Sequence, residues 1–203
     1  MSAEVGSAMI GLDLDNTIVS YHRCLHALAT VGKSLPPTVA VDKNAVRQFF
    51  RESGREGEWT ELQGIAYGAG MGRADAFEGA LDFVRAAVGR GKSVKIISHR
   101  TKYPIVGDQT DLHQAATEWL KAAGFVGPGA LATENVFFEI SKEAKMERIR
   151  AEGCTVFLDD LPEILDAELF PAACEGWLFD PAGASADRPR VVADWPSFSR
   201  LIL

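Results

Sequence analysis

The sequence predicts an α/β fold, a Rossmann-like parallel sheet flanked by helices, with a small all-helical insertion near its start. Three observations predict it. An apolar run of strand length, residues 8–12, drives into Asp13-Leu14-Asp15-Asn16-Thr17 and resumes as Ile18-Val19. From Arg73 onward, apolar stripes at helical spacing alternate with short β-branched runs, and the short links between them imply parallel strands joined by crossover helices. Residues 20–73 carry helical spacing and no evident strand. They form an insertion into a core made of residues 1–19 and 74–203.

Within the insertion, residues 21–30 place Cys24, Leu25, Leu28 and Ala29 on one helical face, with Ser20 as candidate N-cap and Gly32 as stop. Pro36-Pro37 forces an extended break. Asp42 caps a second helix bearing Val46, Phe49 and Phe50, ended by Gly54. A third short helix spans residues 58–63 around Trp59 and Leu62, and the glycine-dense residues 64–72 form a mobile loop. In the core, Phe77, Ala80, Leu81, Val84 and Val88 make one stripe. Val94-Lys95-Ile96-Ile97-Ser98 is a strand. Leu112, Ala115, Ala116, Trp119, Leu120 and Ala123 line a helix that Gly124 ends. Val136-Phe137-Phe138 is a strand, and Ser141 caps a helix running through Met146 and Ile149 to Gly153. Thr155-Val156-Phe157-Leu158 is a strand ending at Asp159-Asp160. Pro162 opens a helix with Ile164, Leu165 and Leu169 inward. Trp177-Leu178-Phe179 is the last strand, before a terminal helix over residues 195–203.

Composition bounds the function. With 203 residues the chain can bury a full core, and its net charge of −7 speaks against a general nucleic-acid surface. Cys24, Cys154 and Cys174 have neither pairing nor metal spacing, so reduced packing thiols in a cytoplasmic protein are expected. Residues 1–6 lack a basic segment followed by an apolar run, so no signal peptide is expected. No apolar run reaches membrane-spanning length.

Polar residues close three of the strands: Asp13 and Asp15 the first, Ser98-His99-Arg100 the second, Asp159-Asp160 the fourth. Positions i and i+2 of a strand share a face, so Asp13 and Asp15 leave the first strand together. Two like charges that close call for a cation or a proton between them. Lys142 opens the helix before the fourth strand. Open α/β sheets place ligands at the carboxyl ends of their strands, where these stretches converge.

On these residues the chain resembles the haloacid dehalogenase (HAD) superfamily, in its Mg-dependent phosphatase branch with a small helical cap after the first motif. Asp13-Leu14-Asp15-Asn16-Thr17 matches the first motif, Ser98 the second, a lysine near Lys142 the third, and Asp159-Asp160 the fourth. The resemblance implies an HAD-like core and an Mg²⁺-dependent phosphomonoester hydrolase acting on a small phosphorylated metabolite. It makes Asp13 the nucleophile that forms an aspartyl-phosphate and Asp15 the acid and base. Asp13, the carbonyl of Asp15, Asp159 and Asp160 would hold Mg²⁺. Thr17, Ser98 and Lys142 would bind the phosphate, and Thr17 would also order the loop that carries Asp15. Lys145, one turn on, is the alternative lysine; Lys142 is favoured because it opens the helix, nearer the site edge.

His99, Arg100, His22 and Tyr67 are candidate substrate contacts, Tyr67 as a lid over the mouth. The expected partner is a small phosphorylated substrate, with neither nucleic acid nor membrane. A phosphotransferase or phosphomutase uses the same intermediate, and a non-catalytic binding module that kept the fold is the alternative of another class.

Overall fold

The computed structural model describes residues 8–203; the expectation drawn from residues 1–6 about a leader lies outside them. The described residues cluster into two compact units. The first comprises residues 8–18, Phe77–His99 and Gly124–Leu203. The second comprises Val19–Ala76 and Arg100–Ala123. Residues 100–123, assigned to the core by their sequence pattern, therefore cluster with the helical insertion.

In the first unit a six-stranded sheet runs in the order β5-β4-β1-β6-β7-β8, and every neighbouring pair is parallel. Its strands are β1 (Met9–Leu12), β4 (Ser93–His99), β5 (Val136–Glu139), β6 (Val156–Asp159), β7 (Glu175–Phe179) and β8 (Val191–Val192). β1 takes the middle because both its faces are covered: Ile10 and Leu12 are fully buried on one, and Gly11 is buried on the other. Helices α4 (Ala80–Gly89), α6 (Lys142–Ala151), the short α7 (Pro162–Leu165) and α8 (Trp195–Ile202) belong to the same unit. The short edge strand β8 escapes the sequence pattern.

α6 starts where its cap dictates: the Ser141 hydroxyl accepts from the Ala144 N–H at 3.1 Å. A chain of ion pairs ties this helix to the sheet. Arg148 Nε donates to Glu139 at the end of β5 (2.8 Å), Arg148 Nη1 to Glu152 (3.3 Å), and Lys95 of β4 closes on Glu152. α4 buries Ala80, Phe83, Val84 and Ala87 rather than the stripe through Leu81 and Val88. Its start at Ala80, after Gly79 in the left-handed region (φ 84°), leaves Phe77 outside the helix and turns Phe83 inward. Leu169, expected inward, is 50% exposed because α7 ends at Leu165.

The second unit holds α1 (His22–Gly32), α2 (Lys43–Glu52), α3 (Glu56–Tyr67), α5 (Leu112–Ala122), a 3₁₀ turn at Met71–Arg73, and a two-strand ribbon of β2 (Val19–Ser20) with β3 (Asp75–Ala76). Ser20 belongs to that ribbon, and Tyr21 takes the N-cap position of α1. Asp42 caps α2 as expected, accepting from the Ala45 N–H at 2.8 Å. α3 runs through Gly64, where the sequence suggested a loop. A Cβ at Gly64 would stand 2.9 Å from Pro104 Cβ and 3.1 Å from the Val106 carbonyl, so this glycine admits a neighbouring segment rather than ending the helix. None of the described helices is long and apolar enough to cross a membrane. Cys24, Cys154 and Cys174 are free and buried.

Trp195 anchors the first unit. It is fully buried, its ring lies tilted against that of Phe83 with centroids 5.3 Å apart, and its indole N–H donates to the Thr17 carbonyl at 3.0 Å. Trp195→Ala should lower stability by about 3–5 kcal/mol, and Trp195→Phe by about 1 kcal/mol for the lost hydrogen bond, measured by urea unfolding.

Candidate functional site

The site is built on the carboxyl edge of β4, β1 and β6. The Asp13 N–H continues the sheet ladder onto the Leu158 carbonyl (2.9 Å), which sets the Asp13 carboxylate beside that of Asp159. The chain then turns sharply. Asn16 adopts a left-handed conformation (φ 66°), which asparagine tolerates better than most residues, and the Ile18 N–H closes onto the Leu14 carbonyl at 3.0 Å. The Trp195 indole clamps the far end of this turn through the Thr17 carbonyl.

One cation joins the strand ends. Lys145 Nζ donates to Asp13 Oδ1 and to Asp159 Oδ2, each at 2.6 Å, and all three groups are buried. The second oxygen of Asp159 accepts from the Leu161 N–H at 2.9 Å. Asp13, Asp159 and the half-buried Asp160 each offer an oxygen within 4.8 Å of the others.

The expected lysine is therefore corrected. Lys142 lies at the surface, 42% exposed, and pairs with Glu163 instead. The reason is helix geometry: side chains lean toward the helix N-terminus, so the residue one turn inside covers the spot beside the helix start. Lys145 also shares the buried face of Ile149, four residues on. That spacing was the available signal in the sequence.

Two further members are hydroxyls. The β1–β4 register, with Leu12 opposite Ile96, brings Ser98 to the level of the Asp13–Asp15 turn. Ser98 and Thr17 are both fully buried, and neither Ser98 Oγ nor Thr17 Oγ1 has a hydrogen-bond partner within the protein. An unpaired buried hydroxyl costs roughly 1–3 kcal/mol, so two at one sheet edge point to a polar ligand.

Burial pushes the Asp13 carboxyl up to about 7, opposed by Lys145 and reinforced by the charges of Asp159 and Asp15. The carboxylates of Asp13 and Asp159 hold Lys145 protonated against its desolvation. Without further positive charge this edge is overcrowded with anions. Hard carboxylate oxygens at this spacing suit Mg²⁺, and Asp13, Asp159 and Asp160 fit as its ligands. The resemblance adds the Asp15 carbonyl.

His99 ends β4 half-buried beside this edge. Burial, then the charges of Lys145 and Lys142, hold its imidazole below the ordinary histidine range, while the Ile140 backbone bonds it. Asp15, half-buried, follows Asp13 within charge-coupling range.

The other candidate contacts have structural partners in the second unit. Arg100 is buried; its Nε donates to the Leu112 carbonyl (3.1 Å), Nη1 to the Tyr21 hydroxyl (3.4 Å) and Nη2 to the Tyr67 carbonyl. Its guanidinium also lies over the Tyr67 ring, 5.4 Å from the centroid. Tyr67 ends α3 and packs against Tyr21 at 4.4 Å, which corrects the picture of a ring on a loose glycine loop. His22 Nδ1 accepts from the Lys43 N–H at 3.0 Å and joins α1 to the start of α2.

No protein-family model and no curated protein matches the chain. Solved structures do. A putative HAD hydrolase from Bacillus subtilis, bound to magnesium, is 12% identical with a TM-score of 0.57, covering 97% of this chain and 98% of that one. An HAD family hydrolase from Deinococcus radiodurans R1, with bound phosphate and sodium, is 17% identical with a TM-score of 0.57, covering 95% and 93%. An L-2-haloacid dehalogenase is 13% identical with a TM-score of 0.57, covering 97% and 98%. This likeness shows the fold: the chain has the HAD-like α/β fold.

Two outcomes are expected. In metal-free protein, Lys145→Met leaves two carboxylates buried without their cation and should cost about 3–5 kcal/mol in urea unfolding, whereas Lys142→Met should change stability by less than about 0.5 kcal/mol. Because the raised Asp13 group is protonated below its folded value, its contribution to metal-free stability is full at acid pH and is lost as pH rises through about 7. An Mg²⁺ ion held by Asp13 would have to displace that proton, so any Mg²⁺ affinity measured by calorimetry should rise with pH up to about 7 and level off above.

Proposed function

We propose that the protein is an Mg²⁺-dependent phosphomonoester hydrolase that acts on a small phosphorylated metabolite through an aspartyl-phosphate. One observation carries the reading: beside the Lys145-bridged Asp13, two buried hydroxyls, Ser98 Oγ and Thr17 Oγ1, stand without partners. A phosphoryl group would supply acceptor oxygens for both hydroxyls and for the ammonium.

The residues divide the work. An oxygen of Asp13 attacks phosphorus and forms the acyl phosphate while the bond to the leaving oxygen breaks. Asp15 protonates that leaving oxygen, then takes a proton from the water that attacks the intermediate, releasing phosphate and restoring Asp13. Ser98, Thr17 and Lys145 hold the equatorial oxygens, and Lys145 keeps its charge throughout. Bound by Asp13, Asp159 and Asp160, Mg²⁺ would neutralise charge on the phosphoryl oxygens and keep Asp13 ionised. Thr17 thus acts here as a phosphate contact. The net charge of −7 favours a small substrate over a polynucleotide.

The structural neighbours include dehalogenases, and a buried aspartate nucleophile serves that chemistry as well. Asp15 favours the phosphatase reading, because displacement of halide needs no proton donor for its leaving group. The test is phosphate release from a panel of sugar phosphates, nucleotides and an aryl phosphate with Mg²⁺, beside halide release from short 2-haloacids. Phosphate release is expected, lost on chelation and in Asp13→Asn, and reduced about 10²–10⁴-fold in kcat in Asp15→Asn. Halide release without phosphate release, or full activity in Asp13→Asn, overturns the reading.

A further inference from the structure

Asp13 and Asp159 are not alone in contacting Lys145. Gly11 shares the face of Asp13 on β1, Phe157 shares the face of Asp159 on β6, and the two strands pair Gly11 with Phe157. A Cβ at Gly11 would fall 2.4 and 2.8 Å from Phe157 Cδ2 and Cε2, and 2.9 Å from the Cys154 sulfur. Gly11 has no positive φ, so this position needs glycine for space rather than for backbone conformation. The phenyl ring fills the room that a side chain on β1 would take. Lys145 Nζ lies 5.4 Å from that ring's centroid. This is within the ~6 Å over which a ring face attracts a cation. Phe157 and Lys145 are both buried, so bulk water does not screen the contact.

We infer that Phe157, seated in the space Gly11 leaves, is a positioning residue that holds the Lys145 ammonium between Asp13 and Asp159. Two hydrogen bonds leave a four-carbon side chain free to swing about the line joining its acceptors. A third contact, from below, removes that freedom and aims the remaining N–H of the ammonium outward along the sheet edge. The inference rests on the proposed function in one respect, that the ligand met by Lys145 is a phosphoryl group.

The test replaces Phe157 with mono-, di- and trifluorinated phenylalanine, which keep the ring's shape while draining negative charge from its face. Folding is followed by urea midpoint, phosphate binding by calorimetry with Mg²⁺ present, and the Lys145 ammonium by its nitrogen resonance in lysine-labelled protein. The dissociation constant for inorganic phosphate is expected to rise stepwise along the series, by about five- to tenfold at the trifluoro ring, with the fold retained and the urea midpoint lowered only slightly. Phe157→Leu, apolar but without a π face, should fall at or beyond the trifluoro value. A flat phosphate affinity across the series overturns the inference. If the unmodified protein binds no phosphate, the phosphoryl reading fails by itself, and the ammonium resonance decides: a stepwise shift with fluorination supports the positioning role, and a constant one overturns it.

Discussion

The rest of the sheet edge depends on one buried ammonium. Lys145 stands between two carboxylates on adjacent strands, with bonds of 2.6 Å to each. Taking such charges out of water is costly, and their attraction compensates only where the geometry is well held. The surrounding structure supplies that geometry. The β1–β6 ladder extends through the Asp13 N–H, Ser141 fixes where α6 begins, and Arg148 with Glu139, Glu152 and Lys95 fastens the helix to β5 and β4. Asp13 and Asp159 are brought together by strand pairing, and the lysine arrives from a crossover helix. None of the three could be buried without the others.

The turn after β1 works differently. It leaves the Thr17 hydroxyl unsatisfied, as β4 leaves that of Ser98, while the other buried side-chain nitrogens and oxygens of the described residues are paired apart from Trp177 Nε1 and Arg188 Nε. The fold tolerates that cost because the turn is fixed from outside, by the Asn16 conformation and by Trp195 on the Thr17 carbonyl. A site that is rigid before its ligand arrives loses little entropy on binding. The destabilisation therefore sits where a ligand can relieve it.

Much of this was legible in the sequence. The alternation after Arg73 and the apolar run before Asp13 gave the parallel sheet and its central strand, because burial on both faces leaves a continuous apolar signature. Asp13, Ser98 and Asp159 could be placed from strand ends alone. Lys145 could not be preferred on position in the helix, since the backward lean of helical side chains moves the reach of each residue by about a turn. The partners of Arg100, His22 and Tyr67 were not legible for a common reason: polarity marks a group that needs partners, and carbonyls, a hydroxyl, a backbone N–H and a ring are brought in by tertiary packing. A glycine that admits a neighbour, as Gly64 does, looks the same in sequence as one that opens a loop.

The second unit is assembled from two separate stretches, Val19–Ala76 and Arg100–Ala123, so the chain passes between the units four times. The last residue of β4 is followed at once by Arg100, which closes on the Tyr67 carbonyl of the earlier stretch. An insertion carried by one loop can be swapped by a single recombination event. This one cannot: transplanting residues 19–76 alone would strip Arg100 of its carbonyl and aromatic partners and expose the face of α5 that buries Leu112, Ala116 and Trp119. Diversification of the helical unit is thereby constrained to proceed by point changes shared between its two pieces, or by moving both at once.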